Sequence, residues 1–152
     1  MEKKFFNKEQ EIITTIISML LIIIFYTWYV YQKKVVGNPE IINDFQFWGK
    51  SFLLLIPIMV GGMIVIFIVF AIIHKIITNA DIDTRTDEMD RFINLKAAKA
   101  SQWTYSSGFI LAMVSQAIGM QPWVLFVVLI SSCFIGAIAE GITKIYFYRK
   151  GV

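Results

Sequence analysis

Apolar residues run almost unbroken through Ile12–Tyr31 and Ser51–Ile73, and again, with more small and hydroxyl residues among them, through Trp103–Ile118 and Trp123–Ala139. A helix needs about 20 mostly apolar residues to cross a hydrocarbon core about 30 Å thick. The first two stretches meet that length, and the last two reach it once flanking interfacial residues are counted. Backbone groups left unpaired in lipid are costly, so helices are the expected spanning form. The pattern predicts an all-α integral membrane protein with four transmembrane helices. Gly119-Met120-Gln121-Pro122 marks a tight turn with proline at a helix start, and Gly37-Asn38-Pro39 marks a turn inside a longer connection. The chain therefore reads as one membrane domain, 1–152, made of two antiparallel hairpins. Hairpin 1 covers 10–78, a charged cytoplasmic connection and stem covers 79–101, and hairpin 2 covers 102–148.

The polar positions of 79–101 run into the third apolar stretch without a break. No proline occurs from Thr86 to Ile118, and the first glycine is Gly108. The third helix is thus expected to extend into a cytoplasmic stem. Thr84 or Thr86 can cap it, and Asp87, Glu88 and Asp90 suit the positive end of the helix dipole. Asp87 and Glu88 stand four and three residues before Arg91, within reach of its guanidinium. A solvated stem that keeps Lys96 and Lys99 at lipid headgroups is the plainest role for this segment.

Small residues recur along the same helix at alternating steps of three and four: Ala98, Ser101, Gly108, Ala112, Ser115 and Gly119, with Tyr105 in the one bulky position. Apolar burial gives helices no net drive to associate in lipid, so small residues that admit close backbone approach mark an interface. Ser132, Gly136 and Glu140, and beside them Ala137 and Gly141, offer the facing surface on the fourth helix. Ser101, Gly108, Ala112, Ser115, Ser132 and Gly136 are therefore the expected packing residues, with a homodimer through the same seam as the alternative.

Composition removes the soluble classes: 57% of residues are hydrophobic and 16% charged. The charges also orient the chain. Lys3, Lys4, Lys8, Lys75, Arg85, Arg91, Lys96, Lys99, Lys144, Arg149 and Lys150 fall on one side of a four-span arrangement, against Lys33, Lys34 and Lys50 on the other. That bias puts both termini in the cytoplasm and the chain in the inner membrane. The N-terminal apolar run exceeds the roughly 7–15 residues of a signal-peptide core, which favours a retained first span. Cys133 is the one cysteine and falls mid-span, where a buried structural thiol is expected.

Candidate chemistry is sparse. Glu140 is the deepest acid, roughly 27 Å along the helix from Pro122 at about 1.5 Å per residue, which places it near the inner edge of the core. Lys144 follows in the favourable i,i+4 order, so a structural pair competes with a proton- or cation-handling carboxylate. His74 lacks a second His or Cys nearby for zinc and reads as an interfacial anchor. An EF-hand loop counted from Asp81, with Asp83, Asp87, Glu88 and Asp90 as further acids, would put Thr86 at the required glycine and Phe92 at the required glutamate, so calcium is not expected. No P-loop, nucleophile elbow, zinc or dinucleotide motif is present. No catalytic residue, metal or cofactor is predicted. The expected partners are the bilayer, its anionic headgroups on the cytoplasmic side, and a second copy or another membrane protein. Nucleic acid is not among them.

Asp87-Glu88-Met89-Asp90-Arg91-Phe92-Ile93-Asn94-Leu95-Lys96-Ala97-Ala98, followed by two spans and Tyr146-Phe147-Tyr148-Arg149-Lys150-Gly151-Val152, resembles the DUF2178 family of small prokaryotic membrane proteins of unknown function. The likeness rests on an acidic–arginine element and a tyrosine-rich basic tail, with Met89 where a basic residue is expected. It implies that the two elements belong together and brings no reaction with it. The leading expectation is a non-enzymatic inner-membrane protein with an accessory, regulatory or protective role through protein or lipid contacts. The alternative is a small oligomeric transporter or ion-handling protein using Glu140 with Ser106, Ser107, Ser115 and Gln116. An enzyme ranks third.

Overall fold

The computed structural model describes residues 2–78 and 87–150, which contain no strand. Four long helices follow in order: α1 Glu2–Val30, α2 Phe45–Thr78, α3 Glu88–Ala117 and α4 Pro122–Lys150. Three of them, α1, α2 and α4, are long and apolar enough to cross a membrane. α3 has the length but not the apolarity. Its first half carries Asp90, Arg91, Asn94, Lys96, Lys99 and Gln102, and its second half interleaves serines and Gln116 with aliphatic residues. By composition, then, the third helix is not equivalent to the other three.

Local chemistry explains the boundaries. α1 loosens into a π turn, Tyr31–Val35, ahead of Gly37 and Asn38, and a 3-10 turn, Pro39–Asn43, begins on its proline. Asp44 Oδ1 then accepts the Gln46 amide at 2.8 Å and starts α2. Pro57 sits inside α2 without ending it.

The cap of α3 is Asp87. Its Oδ1 accepts the Asp90 amide at 2.8 Å, while Asp90 Oδ2 accepts the Asp87 amide at 3.2 Å. This reciprocal capping box satisfies two amides that have no partner within the helix. Thr84 and Thr86, the capping residues expected from sequence, lie outside the described residues. At its other end α3 closes on Gly119, whose φ of 78° a residue with a side chain rarely adopts. Gly119 N–H donates to Gln116 O and Met120 N–H to Ser115 O, each at 3.0 Å, the Schellman arrangement. Pro122 follows as the first residue of α4.

α3 packs antiparallel along α4. α1 packs on α2 and α4, and α2 only grazes α4. The α3–α4 seam is narrow. A Cβ added at Gly108 would run into Ser132, 2.6 Å from its Oγ, and one at Gly136 would lie 3.2 Å from Ser101 O. Ile93, Ala97, Gly108, Ala112 and Ser115 are buried on α3, with Ser132, Gly136 and Gly141 on α4. Three residues of the expected stripe stand elsewhere. Ala98, Tyr105 and Gly119 are exposed, and Ala97 and the half-buried Thr104 occupy the seam, so the spacing steps 97, 101, 104, 108.

Other helices meet through larger side chains. Ile22 fills the space over Gly62 between α1 and α2, and Ile16 and Ile12 lie against Gly141 between α1 and α4. Tyr26 Oη donates to Ser51 O at 2.5 Å, joining α1 to α2. Near the α3–α4 turn, Trp48 stacks on Phe126 at 5.3 Å, with Phe45 and Phe52 edge-on to the same ring. Most of α2 is uncovered: Leu53 is 74% exposed and Ile76 72%. Cys133 is exposed as well, contrary to the buried thiol expected. His74 is buried, with its ring 6.1 Å from that of Phe70.

Candidate functional site

The candidate site is a polar cleft where α1, α3 and α4 converge, at the end of the bundle away from the Gly119 turn. Its anchor is Asp90, 1% exposed. A carboxylate so thoroughly removed from water is costly unless hydrogen bonds and charge compensate. Asp90 has both. Besides the Asp87 amide, it accepts Tyr148 Oη at 2.7 Å, and Lys8 Nζ stands 4.0 Å from its Oδ2. One buried acid thus joins the start of α3 to the last turns of α4 and the first turns of α1.

Above it lies a cavity of about 380 Å3 whose polar lining includes Lys8, Glu11, Asn94, Glu140, Lys144 and Tyr148. Helix periodicity puts these groups together. Lys8 and Glu11 are three apart on α1, and Glu140, Lys144 and Tyr148 recur every four residues on α4. Lys144 Nζ reaches Glu140 Oε1 at 2.7 Å, the i,i+4 pair anticipated from sequence. Glu9 and Arg149 pair at the rim. Among the described residues, Glu11 has no ion pair or side-chain hydrogen bond.

The opposite end of the molecule differs. There α1, α2 and α4 enclose a cleft of about 740 Å3 lined by aliphatic and aromatic side chains, including Leu20, Phe47, Trp48, Phe52, Trp123 and Phe134. Two hydroxyls that could extend a polar path along α3 bond back to the backbone of their own helix. Ser107 donates to Thr104 O, and Ser115, buried in the seam, donates to Ala112 O. Gln116 reaches only Ser115 Oγ, at 3.4 Å.

Comparisons with protein-family models, with curated proteins and with solved structures find no match. The geometry alone carries the functional reading.

The structure divides the residues singled out by sequence. Asp90, Glu140 and Lys144 meet at the cleft. Glu88 and Arg91 are exposed on the stem, and no ion pair among the described residues joins Arg91 to Asp87 or Glu88. Asp87 instead uses its carboxylate as the helix cap. Lys96 lies outside the cleft, with its ammonium 4.8 Å from the Phe92 ring centroid and 5.0 Å from that of Phe147. Ser101, Gly108, Ala112, Ser115, Ser132 and Gly136 lie at the seam, away from the polar cavity. No group of three His, Cys, Asp or Glu among the described residues could hold a metal ion, and Asp81 and Asp83 lie outside them.

Sequence reasoning missed Tyr148, Glu11, Asn94 and the inward role of Lys8. A signal for one of them was present. Asp90 stands about as far before the tight Gly119 turn as Tyr148 stands after it, so an antiparallel pair folded at that turn brings them level.

Proposed function

We propose that this chain is a four-span inner-membrane protein with a non-enzymatic accessory or regulatory role, exerted through lipid and protein contacts. Its α1–α2 and α3–α4 pairs form two hairpins, with both termini and the α3 stem cytoplasmic. Contact between α3 and α4 supports the fourth span despite the weaker apolarity of α3. The two run side by side from the Asp90–Tyr148 bond through Ser101–Gly136 to Gly108–Ser132. Whatever depth α4 reaches, α3 reaches with it. Thirty residues of α3 span about 45 Å, which leaves about 15 Å of stem beyond the hydrocarbon core. Membership of the DUF2178 family is part of this proposal, resting on the acidic–arginine element and the tyrosine-rich basic tail.

The observation that carries the accessory role is the segregation of charge. Described charged side chains deep enough to matter gather at one end and bond mainly with each other, while the opposite cleft is apolar. A conduit needs polar groups along its length. A contact protein needs a firm polar end and a broad apolar flank, and exposed α2 fits that need. The stem adds exposed Arg91, Leu95 and Lys96 at expected headgroup depth, with exposed Trp103 about two turns further along α3, where basic and then aromatic side chains are favoured.

Transport remains the second reading because Glu140 lines the polar cavity. Purified protein reconstituted in liposomes under a proton or potassium gradient separates the two. The accessory reading predicts leakage equal to that of empty vesicles. Flux carried by the native chain and abolished by Glu140→Gln overturns it.

A further inference from the structure

We infer that the polar cleft between α1, α3 and α4 binds the headgroup of a phosphoethanolamine lipid. The inference deepens the lipid-contact role and rests on its placing of this end at the membrane surface. Three observations support it.

The first is charge. The cavity lining carries two ammonium groups, Lys8 and Lys144, and two carboxylates, Glu11 and Glu140. A simple anion entering this space meets two acids, and a simple cation meets two lysines. A dipolar headgroup satisfies both sets, its phosphate facing Lys8 and Asn94 and its ammonium facing Glu11 and Glu140. Charge-assisted hydrogen bonds of these kinds are the stronger ones.

The second is unused bonding capacity. Glu11 is half-buried and makes no ion pair or side-chain hydrogen bond among the described residues. Lys8 touches Asp90 only at 4.0 Å, with its side chain 19% exposed. A carboxylate and an ammonium three residues apart on one helix face, each held short of a full partner, leave room for a ligand of opposite polarity. Lys144 and Glu140 already pair at 2.7 Å and frame the far wall.

The third is access and size. α1 and α3 both pack on α4 and approach each other at Lys8 and Asp90, and the cleft lies between the three helices, lined from each of them. Its volume of about 380 Å3 falls within the range of about 300–1,000 Å3 usual for small-ligand sites. Ile12 and Ile16 line the cavity beside the charged groups, where the glyceride part of a lipid would lie.

The test is lipid retention by the full chain, purified in detergent and titrated with dioleoyl phosphatidylethanolamine, phosphatidylcholine or phosphatidylglycerol, with adducts counted by native mass spectrometry. Phosphatidylethanolamine should be retained about tenfold more tightly than phosphatidylglycerol, an affinity ratio worth about 1.4 kcal/mol. It should also exceed phosphatidylcholine, whose quaternary amine has no N–H to give a carboxylate. Glu11→Gln should remove that preference, and Asn94→Leu, which removes the amide facing the phosphate without changing the charge of the cleft, should lower retention of all three lipids.

Equal retention of ethanolamine and glycerol lipids, or selectivity unchanged by Glu11→Gln in a monodisperse protein, overturns the assignment. Binding of soluble O-phosphoethanolamine as tight as that of the lipid overturns the membrane as its source. Selectivity in detergent does not depend on which side of a bilayer the cleft faces, so failure here leaves the four-span reading to its own test.

Discussion

The α3–α4 and α1–α2 pairs are built from similar lengths of helix and pack in opposite ways. Along α3–α4 a glycine meets a serine, backbones come close, and a buried acid is locked to a tyrosine across the seam. Along α1–α2 most large aliphatic side chains point outward, and contact relies on points such as Ile22 over Gly62 and Tyr26 on Ser51. The more hydrophobic pair is the less intimate one. In lipid this is the physical expectation: leucine and isoleucine lose nothing by facing acyl chains, whereas small residues gain dispersion contacts by close approach. Hydropathy identifies what can lie in a membrane, and residue size identifies what associates there.

The contrast can be broken most forcefully with two glycines. Gly108→Leu forces a side chain into Ser132 and should destabilise the protein by about 3 kcal/mol, the upper end of ordinary overpacking. Gly61→Leu, with nothing within 4 Å of its new Cβ, should stay within about 0.5 kcal/mol. Reversible unfolding in bicelles measures both, and equal losses would erase the distinction between the pairs.

A smaller effect separates the two acids of the α3 start. Asp90→Ala removes the reciprocal cap and strands Tyr148 Oη, costing about 2 kcal/mol. Exposed Glu88→Ala should change stability by less than about 0.5 kcal/mol in the same assay.

The finest comparison uses two tyrosines. Tyr148→Phe loses a hydrogen bond to a carboxylate and should cost about 1.5 kcal/mol, while Tyr26→Phe loses one to a carbonyl and should cost about 1 kcal/mol. Combining Tyr148→Phe with Asp90→Ala should cost less than the sum of the two, because each removes the same bond.

Much of the helix layout was legible because membrane constraints act locally. Long apolar runs, proline at 122 and glycine at 119 each carry their meaning within a few residues. The small-residue stripe was legible from Ser101 to Ser115 for the same reason. It misplaced Ala98 and Tyr105 because a run of small side chains does not say whether the helix steps by three or by four at each turn. Arg91 was expected to be held by Asp87 and Glu88 because i,i+3 and i,i+4 spacing permits it. Spacing could not reveal that the Asp87 carboxylate would be committed to the cap.

The site was less legible than the helices. Asp90 looked like one acid among several at a helix start, and Tyr148 like one aromatic of an interfacial belt. Their bond depends on the register of two helices 58 residues apart in sequence, and that register becomes visible only once the Gly119 turn is taken as a fold axis. Lys8 and Glu11 depend on a third helix crossing at Gly141, where Ile16 Cγ1 would lie 3.1 Å from an added Cβ. Nothing near Lys8 in sequence announces that crossing.

The central claim is that α3 crosses the membrane beside α4, although composition marks only three helices as spans. Single cysteines at Asn38, Arg91 and Gln121, each in a Cys133→Ser background and labelled with an impermeant maleimide in sealed vesicles, test it directly. Four spans predict that Gln121 labels from the same side as Asn38 and opposite Arg91. Gln121 labelling with Arg91 would mean that α3 returns without crossing, and the account would fail.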